Sequence, residues 1–241
     1  MIGDWLTYRA ADFVPFTAEV YFRLIERVNA SAWPLHLLTL SAAIAALALV
    51  YRGGQRFAAL ALAAMWGWVG YAFLLSEYAS LNWAARPIAW AFGLQAVLLS
   101  GLLLSSRFGG VRDSLGRTRW VGGVLCLLGL SYPLLALSTG GGWGRAEVVG
   151  IHPDPTVLLT FGICLLTLRG WRLWASLILP VGWCLVSAIT LWVLGVAWAL
   201  PFAACAFVAC LAGAYRRGPR QAIDDGLREA QKSPDRVSDR G

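Results

Sequence analysis

The fold class this chain predicts is all-α: a polytopic transmembrane helical bundle. Three observations predict it. The composition is 59% hydrophobic and 14% charged, with a mean hydropathy of +0.64, against about 25% charged residues in an ordinary soluble domain. Apolar stretches near the roughly 20 residues a helix needs to cross the hydrocarbon core recur from Trp33 to Tyr215. The arginines of the intervening loops fall on alternate sides.

Residues 1–33 form the first unit. They lack the basic start, apolar run and small-residue cleavage site of a signal peptide. Pro15-Phe16-Thr17 opens a helix, with Thr17 as its cap and Glu19 favouring the positive end of the dipole. Val20, Leu24 and Val28 then share a face with Tyr21 and Ile25, while Arg23, Glu26 and Arg27 point elsewhere. Such a helix is expected to lie on the outer membrane surface, anchored at the interface. Packing as a lid over the bundle is the functional alternative.

Residues 34–215 form the transmembrane unit, with seven spans. They run from Pro34 to Tyr51, Phe57 to Ser76, Pro87 to Ser106, Trp120 to Ser138, Pro155 to Leu168, Leu173 to Leu194 and Trp198 to Tyr215. The fifth is the shortest. Gly195-Val196-Ala197 permits a tight reversal between the last two, flanked by Trp192 and Trp198 as interfacial anchors. Residues 216–241 are polar and mixed in charge, and are expected to be a disordered tail.

Orientation follows from the loop arginines. Arg52, Arg56, Arg107, Arg112, Arg117, Arg119, Arg169, Arg172, Arg216, Arg217 and Arg220 fall on one side, while the alternate loops carry only Arg86 and Arg145. Eleven against two places the C-terminus in the cytoplasm and the N-terminus outside. An even number of spans would break the alternation, which supports counting the short fifth.

The formal charge of +7 is explained by lipid headgroups before nucleic acid, because the basic residues sit in short loops of one side. Cys126, Cys164, Cys184, Cys205 and Cys210 all fall inside spans without a C-x-x-C, so they are expected to be free, buried and inert. The one lysine, Lys232, lies in the tail, so no span carries the lysine of a retinal protein. No acid or base stands at mid-membrane depth, which argues against a proton pump or voltage sensor. No cofactor signature is present.

Polar residues sort by depth. His36, Glu77, Arg86, His152 and Asp154 converge on the outer leaflet, with Tyr132 in the outer half of span four and Gln95 midway through span three. Two readings compete. Headgroup-level residues with a Glu77–Arg86 pair are the bland one. A shallow outward pocket for a cation or small polar ligand is the sharper one. Imidazole and carboxylate suit metals such as zinc, yet no H-x-x-E-H or H-E-x-x-H spacing fixes a ligand set, so the metal question stays open.

The longest outer loop, Gly140 to Thr156, starts flexible and ends stiff in His152-Pro153-Asp154-Pro155-Thr156. Pro155 pushes Asp154 towards extended backbone and makes it the expected N-cap of span five. That span is short enough to be partly re-entrant.

Pro15-Phe16-Thr17, Asn29, Trp33-Pro34, Tyr132-Pro133 and Pro153-Asp154-Pro155-Thr156 with Thr160-Phe161-Gly162 resemble the pattern of a bacterial family of multi-pass inner-membrane proteins carrying a domain of unknown function. The resemblance covers about Phe13 to Tyr215. It implies location in the bacterial inner membrane and leaves activity open. The expected function is small-solute or ion binding or transport through the outward pocket, without a catalytic centre. The alternative is a non-catalytic membrane subunit of a partner complex or homo-oligomer. Expected partners are the bilayer and a small solute or cation, and not nucleic acid.

Overall fold

The computed structural model describes residues 10–102 and 116–215. Arg107, Arg112, Arg216, Arg217, Arg220 and the tail therefore lie outside the described residues. Within them the chain is helical, with one isolated bridge between Val149 and His152 as its only extended pairing.

Helix α1 (Ala18–Ala32) starts where expected, with the Thr17 side chain accepting from the Val20 N–H at 3.4 Å. Its apolar stripe is Tyr21, Leu24, Ile25 and Val28, all buried, while Val20 turns outward. The apolar face expected to meet the membrane surface is covered by protein. At Trp33-Pro34 the axis turns by 89° into α2 (Leu35–Tyr51), which lays α1 across one end of the bundle.

Helix α3 (Gln55–Trp68) runs directly into a π-helical segment, Val69–Leu75, and a 3-10 turn at Tyr78–Ser80. The wider π turn carries Phe73, whose ring meets His152 edge-on at 5.4 Å. Helix α4 (Ala85–Gly101) follows. Helix α5 (Gly116–Ser131) and the short α6 (Pro133–Ser138) together make the fourth apolar segment, broken at Tyr132-Pro133 because proline cannot donate to the helical ladder.

At the centre stands α7 (Pro153–Thr167), every residue of which is buried. Fifteen residues rise about 22 Å, short of the roughly 30 Å of a bilayer core. Its neighbours enclose it, so it is a continuous internal helix. Two further helices complete the bundle, α8 (Gly170–Val193) and α9 (Ala199–Tyr215).

The α5–α7 seam shows how closely α7 is held. A Cβ on Gly129 would come within 2.8 Å of the Pro155 carbonyl oxygen, and one on Gly162 within 2.5 Å of the Gly122 carbonyl oxygen. Small residues let the two backbones meet.

Within the described residues each of the seven expected apolar segments is helical for most of its length. By length and composition, however, two runs are fit to cross a membrane, Gln55–Ser80 and Gly170–Val193. A third arises if the bent α1–α2 pair is one span, and Pro153–Thr167 and Ala199–Tyr215 are shorter apolar helices.

Candidate functional site

The N-terminal end of α7 is built by its entry loop. Gly150 has φ +78°, a left-handed conformation that favours glycine, and a Cβ there would come within 2.9 Å of Thr39. This tight turn lets the Gly150 N–H donate to Thr156 Oγ1 at 2.8 Å, while that hydroxyl donates to the His152 carbonyl at 2.7 Å. The helix start is thus held by Thr156. His152, not Asp154, occupies the N-cap position, and its side chain makes no capping bond. Asp154 lies in the first helical turn despite the following proline, because Pro155 there gives up an N–H that has no helical partner anyway.

Freed from capping, the Asp154 carboxylate serves tertiary contacts. Trp183 Nε1 donates to it at 2.7 Å, Ser187 Oγ at 2.8 Å and Tyr132 OH at 3.3 Å. Three donors, from α8 and from the α5–α6 break, converge on one buried acid. A carboxylate has the lone pairs for this, and charge-assisted bonds are the strong kind.

His152 is fully buried. Its Nδ1 accepts from the Val148 N–H at 3.1 Å, and its Nε2 has no partner. Burial, with a lesser effect of nearby His36, lowers its pKa to about 3. A neutral imidazole wedged against Phe73 is a structural group at physiological pH.

His36 Nε2 donates to Asn29 Oδ1 at 2.8 Å. Asn29 in turn donates to the carbonyls of Gly144 and Ala146 at 2.8 and 2.9 Å. One amide thus ties α1, α2 and the long loop before α7 together.

Above Asp154, under α1, lies a cavity of about 300 Å³. Phe22 of α1, Tyr132, Ala136, Arg145, Glu147 and Trp198 are among its lining residues. Arg145 is turned away from Glu147: it bonds Glu26 at 2.6 Å and its guanidinium lies 5.4 Å from the centre of the Phe22 ring. Glu147 is 4% exposed, and its Oε2 is buried without a partner. Burial first, and the nearby Asp154 charge second, push its carboxyl well above the usual range. Trp198 Nε1 is likewise buried and unpartnered.

Of the residues singled out from sequence, the fold unites Tyr132, His152 and Asp154 around the start of α7, with His36 beside them. Others fall elsewhere. Glu77 pairs with Arg27 of α1 at 2.6 Å and not with Arg86, which is exposed on the first turn of α4. Gln95 is buried between α4 and α8, donating to the Ser176 carbonyl at 3.0 Å. Sequence reasoning missed Glu147, although it is the one acid besides Asp154 in the long loop from Gly140 to Thr156. It also took Trp198 for an anchor. Among the described residues no group of three or more His, Cys, Asp or Glu side chains is placed to hold a metal ion.

These features define an all-helical bundle, with apolar helices fit for a membrane, that buries a polar helix start beside a half-open cavity. The chain belongs to a family of unknown function (DUF6064), whose match runs over residues 18–221 and so includes α1 through α9. No curated protein and no solved structure matches the chain.

Proposed function

We propose that this protein is a multi-pass protein of the bacterial inner membrane that binds a small solute in the cavity beneath α1, as the binding step of transport or sensing. The threading is the seven-span one, with residues 1–33 outside and the tail in the cytoplasm. Its support is the distribution of exposed aromatics. Trp33, Trp83, Trp143 and Trp192 stand exposed near the outer ends of the segments, and Tyr51, Trp120, Trp171 and Tyr215 near the inner ends. Between these belts the exposed side chains are mostly aliphatic, among them Leu94, Val97, Leu127, Ile178 and Leu185, with Tyr71 and Phe207 as aromatic exceptions. Two aromatic girdles around an aliphatic band match a bilayer, whereas soluble monomers rarely expose an apolar patch of that extent.

The observation that carries the binding reading is the cavity itself. It combines apolar and aromatic walls with a few unpaired polar groups, the usual make-up of a small-molecule site. Asp154 supports it from behind through Tyr132 and does not touch the space directly.

Thermal unfolding of the detergent-purified protein against a panel of small polar solutes tests this reading, with Ala136→Trp filling the cavity. A true ligand at about a hundred times its Kd stabilises by about 2.7 kcal/mol, and Ala136→Trp should abolish the shift. Finding that no solute stabilises the wild type, or that stabilisation persists undiminished in the filled variant, would sink the reading.

A further inference from the structure

The geometry points to a small organic cation as the occupant of this cavity, held by Glu147 against the rings of Trp198 and Tyr132. This rests on the reading of the cavity as a solute site and adds the chemical class.

The charge balance around the cavity favours a cation. Its one basic side chain, Arg145, is committed to Glu26 and to the Phe22 face. Among the described residues Glu147, at 4% exposure, has no counter-ion and its Oε2 meets no donor. Behind it stands a second carboxylate, Asp154, bound only by neutral donors. A buried carboxylate is costly unless it is paired or protonated, and a cation entering the cavity can take the place of the proton that burial otherwise favours on Glu147.

The walls favour an organic cation over a bare metal ion. Tyr132 and Trp198 bring aromatic rings to the same space, and aromatic faces attract alkylammonium groups, most strongly where water is excluded. A divalent metal would need several hard or imidazole ligands, and no group of three such side chains is in place among the described residues. The volume of about 300 Å³ suits a molecule the size of a short-chain amine or a quaternary ammonium alcohol.

The test places a single thiol on the cavity wall, Ala136→Cys, in a background with Cys205 and Cys210 replaced by serine. Its modification by a neutral methanethiosulfonate is followed in detergent with choline or ethylammonium as protectant, and with neopentylcarbinol as the uncharged isostere of choline. A cation should protect at a concentration roughly tenfold or more below that of the isostere. That preference should vanish with Glu147→Gln and survive in Glu147→Asp, which keeps an ionisable carboxyl and shows that the altered site still folds. Equal protection by the neutral isostere, or no protection by either cation at a reactive thiol, overturns the organic-cation assignment and leaves the cavity as a solute site. A thiol that the neutral reagent never modifies overturns the solute reading itself.

Discussion

Asp154 is bound by Trp183, Ser187 and Tyr132, so one side chain of α7 ties together α8 and the α5–α6 break. Removing it strands three buried donors, and breaking such an interaction by deleting one partner is strongly destabilising. Asp154→Ala should therefore cost on the order of 3–5 kcal/mol, read as a large fall in the melting temperature of purified protein. A variant that melts like the wild type would show that the three bonds contribute nothing net. The sequence brought Asp154 into view, since an acid beside two prolines near a span is expensive, but it suggested the wrong partner. Capping is a local relation and can be read from spacing. The donors from Trp183 and Ser187 come from positions some thirty residues away, and nothing in the chain's order announces them. Glu147 was harder still: its significance is the absence of a partner, which only a folded environment can show.

At the scale of elements, α7 illustrates how packing explains a feature that looks anomalous in sequence. Its shortness suggested a re-entrant segment, because a lipid-facing helix must span the core. A helix wrapped by α5, α8 and α9 has no lipid contact to satisfy and can be shorter. The close approach of α5 depends on Gly122, Gly129 and Gly162, where a Cβ has no room. Gly162→Leu should destabilise by about 3 kcal/mol or more through overpacking, while Gly182→Leu, on an exposed face of α8 with nothing within 4 Å of its Cβ, should be close to neutral. Comparing the melting curves of the two variants checks this; similar losses in both would mean the seam is not the reason. For α1 the apolar stripe was legible in sequence, and the identity of what covers it was not. Periodicity reports that a face is apolar, and it does not say whether lipid or protein meets it.

For the whole molecule, the proposed threading predicts that a phosphatase reporter fused at Gly141 is active outside, while a fluorescent reporter after Tyr215 lights up in the cytoplasm. The reverse pattern would overturn the orientation and with it the placing of the cavity on the outer side. From its order of residues alone the chain determined that it is helical, where its apolar segments lie, and that its polar groups gather towards one end. These are properties of local periodicity, hydropathy and loop charge, each read within a window of about one helix. Only the tertiary structure decided that α7 is the sealed centre, that α1 is a cover, that Glu77 belongs to Arg27, and that Glu147 faces a cavity without a counter-ion. Each of those depends on groups distant in the chain meeting at atomic distance, and burial and pairing are set by which surfaces meet, not by the sequence around any one residue.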